Sequence, residues 1–328
     1  MKYIDSHSHS PYFNLSLEEY LLKNNIINDD VIFLWRNEPT VVVGNNQNTI
    51  EEINMPYVDE HKINVVRRLS GGGAVYQDLG NLNFTFLMTF DEKDNVNIKK
   101  FTLPVVEALH NMGVPAQLSG RNDITVEGKK ISGNAQRLFR NKLLHHGTLL
   151  FDTDLDVMPN VLQVSLDKIQ SKGIKSVRSR VANIKEYIRQ QQSVEQFRGE
   201  ILKELFKDKE IDEYILTDAD TKNILFLVDT KYNTWEWNFG YSPAYTIKNS
   251  RRFSGGKIEA LLDVKKGIIE NCQIFGDFLS VQEVSEIEDA FQNVNYELNA
   301  VKNVLAKFNL KHYFGDISLD EIITVFFG

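Results

Sequence analysis

The apolar positions of this chain change period several times, and each change marks an element. In Asn14–Asn24 (NLSLEEYLLKN), Leu15, Tyr20, Leu21 and Leu22 fall on one helical face, with Asn14 and Ser16 as capping candidates. Val31–Trp35 and Thr40–Val43 read as short strands around the Asn37–Pro39 turn, and Gly44–Asn48 as a polar loop. Ile63–Arg67 reads as a strand, and the apolar run from Leu82 to Phe90 as a buried one. Asn97–Met112 is an amphipathic helix with Phe101, Val105 and Leu109 at four-residue steps, stopped by Gly113 and Pro115. Asp123–Val126 and Lys130–Ser132 form the arms of a hairpin turning at Glu127–Gly128, and Thr148–Phe151 is a strand. Residues 160–208 read as helical and charged, interrupted by the basic loop SKGIKSVRSRVANIKEY; Ile224–Val228 and Trp235–Phe239 return to strand patterning.

The pattern breaks at Gly240–Pro243. A basic strand pair over about 245–275 follows, then helices near 281–293, 296–308 and 318–327. The break divides the chain into two parts, a large domain over 1–246 and a small one over 247–328. No repeat and no low-complexity tract interrupts it.

Composition narrows the classes. Of 328 residues, 42% are hydrophobic and 25% charged, ordinary for a globular protein with a full core. A net charge of −8 argues against a broad nucleic-acid or anionic-membrane surface. Cys272 is the single cysteine, which excludes an intramolecular disulfide and a cysteine zinc site. The first twenty residues lack the apolar core of a signal peptide, and no stretch approaches the roughly 18 uninterrupted apolar residues of a membrane span. A reduced, cytoplasmic protein is expected, with monomer as the default state.

The candidate chemistry centres on Arg67–Phe86, RRLSGGGAVYQDLGNLNFTF. Gly71, Gly72 and Gly73 leave a bare backbone whose N–H groups can form a nest for an anion, and Arg67 and Arg68 just upstream could place guanidinium forks beside it. The segment fits neither the P-loop nor the G-x-G-x-x-G pattern, and alone a glycine triplet is only a turn or bulge. Lys130, after the turn glycine and before Ile131-Ser132-Gly133, can reach a phosphate as a point charge or simply end a solvated strand. Asn122 and Asp123 are either turn residues or oxygen ligands for Mg²⁺ or a ribose. His145 and His146 point to opposite strand faces and cannot share a metal; at least one is structural. Ser70 has no partner spacing that argues for a triad, His7 and His9 lack a carboxylate at ligand spacing, and Cys272 reads as a buried structural thiol. Arg252-Phe253-Ser254-Gly255-Gly256-Lys257 echoes the Arg68–Gly72 run and reads as a hairpin turn.

Taken together, RRLSGGGAVYQDLGNLNFTF, GRNDITVEGKKISGNAQ and HHGTLLFDTDL, in this order, resemble the lipoate–protein ligase A family, and the basic loop and small C-terminal part extend the resemblance over essentially the whole chain. It implies an α+β fold, with a large domain of the biotin/lipoyl-ligase type, related to class II aminoacyl-tRNA synthetases, and a small α+β accessory domain that swings during the cycle. It implies ATP-dependent activation of lipoate to lipoyl-AMP with Mg²⁺, then acylation of one lysine on apo lipoyl domains of 2-oxo-acid dehydrogenase acyltransferase subunits or on the glycine-cleavage H protein. By the same resemblance, Lys130 is the catalytic lysine. Arg68, Ser70, Gly71–Gly73, Val75, Tyr76, His146 and Gly147 border lipoate and the acyl phosphate. Gly73, Ala74, Val75, Tyr76, Asn81, Asn83, Asn122, Asp123, Lys130, Ser132 and Ala135 fall on the ATP side, with Asp123 as the Mg²⁺ ligand. Gln77 replaces a histidine common in the family, so a positioning role is expected there rather than a general base.

Two other functions remain in view. A thioester acyltransferase on the same fold would need a thiolate in the pocket, and Cys272 is the only thiol. A non-enzymatic lipoate binder would not need Lys130 or Asn122–Asp123. Lys172, Lys175, Arg178 and Arg180 could steer an acidic lipoyl domain or form a solvated loop.

Overall fold

The computed structural model describes residues 1–24, 26–90, 98–162, 180–207, 209–240, 247–265 and 267–327. Ten strands build the larger part: Lys2–Ile4 (β1), Val31–Trp35 (β2), Thr40–Val43 (β3), Asn64–Arg67 (β4), Val75–Gln77 (β5), Asn81–Thr89 (β6), Gln117–Ser119 (β7), Asp123–Val126 (β8), Lys129–Phe139 (β9) and Lys142–Leu150 (β10). Seven form one sheet in the order β1-β2-β6-β10-β9-β8-β7, antiparallel except for the β1–β2 pair; β4-β3-β5 form a smaller sheet.

β2 is buried along its whole length because both faces of the large sheet are covered. Ile32 and Leu34 meet Phe101, Val105 and Leu109 of the helix Ile98–Asn111 on one side. Val31, Phe33 and Trp35 meet Leu15, Leu17 and Leu21 of the first helix, Pro11–Lys23 (α1), on the other. The helix opposite α1 (Ile98–Asn111, α2) matches the predicted four-residue steps. α1 starts three residues before the expected cap. Ser10 caps it, its Oγ accepting from the Phe13 N–H at 3.4 Å, and Pro11 takes the first turn, where its missing N–H costs nothing.

α1 is buried on every side from Asn14 to Leu22, so its charges cannot face water. Glu19 is therefore paired with Lys23 at 2.8 Å, Lys231 at 2.7 Å and the Tyr232 hydroxyl at 2.7 Å. Glu18 is paired inside the site described below.

The hairpin at Glu127–Gly128 forms as predicted; both residues have positive φ (50° and 76°), the twist that suits adjacent antiparallel strands. Two expectations about strands fail. Ile224–Val228 and Trp235–Phe239 are not strands but parts of the helix Asp218–Leu227 (α4, after α3 at Val194–Phe206), the wider turn Val228–Tyr232 and the short helix Trp235–Asn238. A reciprocal capping box between Thr217 and Asp220 starts α4. Within 160–208, the described helical residues are mainly Val194–Phe206, whereas Lys172, Lys175, Arg178 and most of the basic loop lie outside the described residues. The basic strand pair is three strands, Ile247–Phe253 (β11), Gly256–Lys265 (β12) and Ile268–Gly276 (β13), joined by Val294–Asn295 (β14) in a separate sheet.

This C-terminal sheet has its own core, where Ile258, Leu262 and Ile274 meet Val301 of Leu298–Leu305 (α5) and Ile322 and Phe326 of Leu319–Phe327 (α6). The expected helix over 281–293 is shorter, Ser285–Ala290, because Ser280–Val284 run alongside the larger part. The Leu138 N–H donates to Val281 O at 2.7 Å, Asn46 Nδ2 donates to Ser280 Oγ at 2.8 Å, and Arg137 pairs with Glu283. Among the described residues no helix is long and apolar enough to cross a membrane.

Candidate active site

A cavity of about 130 Å³ opens between the glycine loop, the β9–β10 strands and α1. Leu15, Trp35, Val42 and Val75 give it apolar walls. Gly72, Gly73 and Ala74 form one rim, and Asn122, Lys130 and Gly133 the other. Apolar walls with polar groups at the rim suit a ligand with an apolar body and a charged head.

The lysine at the rim is held by its hairpin. Lys130 Nζ lies 2.8 Å from Asp123 Oδ1, both side chains about one-third exposed (35% and 32%). The pair lies across Gly133: a Cβ there would sit 2.7 Å from Lys130 Nζ, so only glycine lets the ammonium lie flat over the strand. Behind it, Asn122 Nδ2 donates to Asn134 O at 2.6 Å, and Asn134 Nδ2 returns a bond to Asn122 O at 2.9 Å. The Ala182 N–H donates to Lys130 O at 3.1 Å, so the chain leaving the basic loop runs beside the lysine.

The opposite rim is shaped by arginines, but not in the expected way. Arg67 and Arg68 were expected to aim guanidinium forks at an anion. Both are buried, and a buried guanidinium must satisfy its donors locally. Arg67 Nη1 donates to the carbonyls of Gly44 (3.0 Å), Asn45 (2.9 Å) and Gln47 (2.6 Å). Arg68 Nη2 donates to Gly71 O at 2.7 Å and Gly73 O at 3.0 Å, and Nη1 to Val42 O at 3.1 Å. Burial pulls the Arg68 guanidinium down to about 10, with the Glu18 charge opposing that fall. Arg68 thus curves the glycine loop from beneath. One nest donor is also occupied, since the Gly72 N–H donates to Phe278 O at 2.8 Å.

His145 and His146 do occupy opposite faces. His145 is fully buried and stacks on Phe101 at a 5.0 Å centroid distance; burial pushes its imidazole well below the ordinary value. His146 lines the cavity. Its Nε2 lies 2.6 Å from Ser70 Oγ, and its Nδ1 lies 3.0 Å from each oxygen of Glu18. The fold therefore assembles Ser, His and Glu, which no spacing in the chain suggested. Ser70 is nevertheless no nucleophile in this arrangement: it is wholly buried, and its Oγ accepts from Arg68 Nε at 3.0 Å.

Most of the expected site residues converge on the cavity, but not all. Arg68, Gly72, Gly73, Ala74, Val75 and Asn83 line one side, and Asn122, Lys130, Ala135, His146 and Gly147 the other. Asp123 touches the cavity only through Lys130. Ser70 and Gly71 lie behind the glycine rim, and Ser132 is buried behind Asn134, its Oγ accepting from Asn134 Nδ2 at 3.2 Å. Tyr76 is turned away by strand alternation and packs with Val41, Val43 and Leu150. Asn81 is buried and donates to Asn83 Oδ1 at 2.9 Å. Gln77 Oε1 accepts from Asn37 at 2.8 Å and from Asn83 at 3.3 Å, a positioning contact.

Sequence reading missed Glu18, Trp35, Asn134 and Thr148. Asn134, two residues beyond Ser132, and Thr148, next to Gly147, stand in motifs that could have drawn attention to them; Glu18 and Trp35 do not. Cys272 is buried in the C-terminal core and burial pushes its thiol well up, so no described thiol reaches the cavity. Among the described residues no group of three His, Cys, Asp or Glu could hold a metal unaided.

Comparisons with known proteins show the family. The family model described as the lipoyl protein ligase A/B catalytic domain matches residues 10–206, and that of the bacterial lipoate protein ligase C-terminus matches 242–326. The chain is 47% identical over 331 residues to lipoate-protein ligase LplJ of Bacillus subtilis, covering 100% of both. Its fold is similar to that of P. falciparum LipL1, crystallised in complex with lipoate, with a TM-score of 0.80, 28% identity and 94% of each chain covered. It is also similar to a lipoate-protein ligase A crystallised with ATP, with a TM-score of 0.63 and 26% identity over 74% of this chain and 99% of that one.

Proposed function

The chain belongs to the lipoate–protein ligase family, and we propose that it activates lipoate with ATP to lipoyl-AMP and then transfers the lipoyl group to a lysine of a lipoyl domain. The observation that carries this reading is Lys130 at the mouth of an apolar slot, facing a glycine backbone across the cavity. In the first step a lipoate carboxylate oxygen attacks the α-phosphorus and pyrophosphate leaves. In the second an acceptor amine attacks the acyl carbon, AMP leaves, and the amine loses one proton.

Both steps bring anions together, so the protein's work is alignment and charge neutralisation rather than nucleophilic attack. Lys130 exchanges Asp123 for the reacting carboxylate and α-phosphate, then stabilises the departing AMP. The backbone of Gly71–Gly73 gives the phosphate its donors, and release of the Gly72 N–H by the C-terminal part adds one. Leu15, Trp35, Val42 and Val75 take the acyl chain. Asn122 and Asn83 face the nucleotide. The donor set fits Mg²⁺, which when bound draws charge from the phosphates: Asp123 offers one carboxylate, and a hard cation takes its other oxygens from phosphate and water. We place the domain division at 1–246 and 247–328, with the chain acting as a monomer.

Apo lipoyl domains and the H protein are the proposed acceptors. Val181 pairs with Lys130 at the rim. Lys172, Lys175, Arg178 and Arg180 are proposed to steer an acidic domain by their charge alone. A steep salt dependence of transfer, lost on charge reversal of Arg178 and Arg180, is expected; an unchanged rate would remove the steering role. The reading as a whole is tested by ATP–pyrophosphate exchange with and without lipoate. Lipoate-dependent exchange is expected, and its absence would leave a binder rather than a ligase.

A further inference from the structure

Glu18 lies behind the cavity wall rather than in it, buried to 2% exposure, yet two arms of hydrogen bonds reach it from opposite sides of the slot. On one side Trp35 Nε1 donates to Thr85 Oγ1 at 2.9 Å, and Thr85 Oγ1 donates to Glu18 Oε1 at 2.5 Å. On the other, Arg68 Nε donates to Ser70 Oγ at 3.0 Å, Ser70 lies 2.6 Å from His146 Nε2, and His146 Nδ1 lies 3.0 Å from both Glu18 oxygens. The sheet register makes the convergence possible: Thr85 and His146 are direct cross-strand partners on β6 and β10, so both face the same turn of α1.

The proton positions follow from the two ends. An indole N–H and a guanidinium N–H can only donate. Thr85 and Ser70 therefore accept there, and the Glu18 carboxylate between the arms can also only accept. Thr85 turns its proton to Glu18, and His146 carries its ring proton on Nδ1, aimed at Glu18, which leaves Nε2 to take the Ser70 proton. Every proton in the chain points at one carboxylate.

We infer that Glu18 is a positioning residue: through His146 and Ser70 it holds Arg68 and the glycine loop, through Thr85 it holds Trp35, and it fixes His146 as the Nδ1–H tautomer. Its role in catalysis rests on the ligase reading above; its control of the tautomer does not. A glutamine at this position keeps the size and keeps Oε1, the oxygen that takes both Thr85 and His146, so it preserves the Nδ1–H tautomer. A leucine removes both acceptors, so the ring proton moves to Nε2, where it meets a Ser70 oxygen already receiving Arg68.

The test joins nitrogen-15 NMR of the histidine rings with pyrophosphate exchange. His146→Gln identifies the resonance. In the wild-type protein the spectrum is expected to show His146 protonated at Nδ1 with a free Nε2; a ring protonated at Nε2 would overturn the proposal whatever the variants do. Glu18→Leu, which removes both acceptors, is expected to invert that pattern and to lower kcat for lipoate-dependent exchange at least about 10-fold, with the lipoate KM within about three-fold, the signature of misaligned rather than lost binding. Glu18→Gln, which keeps an acceptor oxygen, should retain the wild-type tautomer and recover part of the rate. Glu18→Leu that loses activity with the tautomer unchanged would mean a merely structural role and would overturn the proposal. Inversion in a protein that shows no exchange at all would support the relay while removing the ligase reading, so the two failures are distinguishable.

Discussion

Two segments of this chain read almost alike, Arg68-Leu69-Ser70-Gly71-Gly72 and Arg252-Phe253-Ser254-Gly255-Gly256, and the fold puts them to different uses. The first leaves β4 beneath α1, where no water is at hand. Its arginine satisfies itself on the carbonyls of its own loop, and its serine is buried against His146. The loop is thereby held in one curve at a cavity rim. The second closes the β11–β12 hairpin, with Phe253 opposite Gly256. Its serine is exposed and its arginine pairs with Asp277 at 3.1 Å. Burial, rather than the residues themselves, decides which copy becomes a site. The hairpin even serves the loop indirectly, because the Asp277–Ser280 turn that it braces packs on Gly71 and Gly72.

The lysines give the sharpest way to break the comparison. Lys130→Ala should lower lipoate-dependent pyrophosphate exchange by at least about 10²-fold, the scale for one preorganised charge-stabilising group. Lys257→Ala, which loses only a 3.1 Å bond to Glu259, should leave exchange unchanged. Lys130 faces the first segment across the cavity and Lys257 follows the second, so equal effects would mean that the hairpin also serves the reaction.

A smaller effect is expected at the glycines. A Cβ on Gly71 would sit 2.6 Å from Ser280 N and 2.8 Å from Phe278 O, backbone atoms that cannot swing aside. Gly71→Ala should therefore destabilise the docked C-terminal part by about 1–3 kcal/mol, read as a lowered Tm. An unchanged Tm would show that the contact is not held in solution. At the serines, Ser70→Ala strands Arg68 Nε and His146 Nε2 and should cost about 1–3 kcal/mol, whereas exposed Ser254→Ala should stay within about 0.5 kcal/mol. Denaturant midpoints separate these.

Much of this fold was legible because its strands are simple. β2, β3 and β6 are apolar runs bounded by turn residues, and Glu127–Gly128 announces its hairpin. Ile224–Val228 misled because the run has strand composition, yet Ile224 is buried while Leu225 and Phe226 face outward, a helical spacing. The signal that would have corrected it is the Thr217–Asp220 capping box just upstream. The site divides the same way. Lys130, the glycine loop and His146 stand in recognisable motifs, and all reach the cavity or its rim. Glu18 does not stand out, because in NLSLEEYLLK a glutamate reads as the solvent face of an amphipathic helix, and only the packing of β2, β6 and β10 around α1 buries it. The arginines were legible as important but not in direction, since the carbonyls that take up their donors come from residues 42–47, from Trp237 and from the loop itself.

The most direct measurement follows one turnover through both half-reactions. Purified protein is incubated with lipoate and Mg·ATP, sampled for pyrophosphate and lipoyl-AMP, then mixed with an apo lipoyl domain whose mass is followed. The account predicts adenylate that forms only with lipoate and nucleotide together, then disappears as one acceptor lysine gains a lipoyl group and AMP is released. An acceptor acylated without any nucleotide requirement would contradict it.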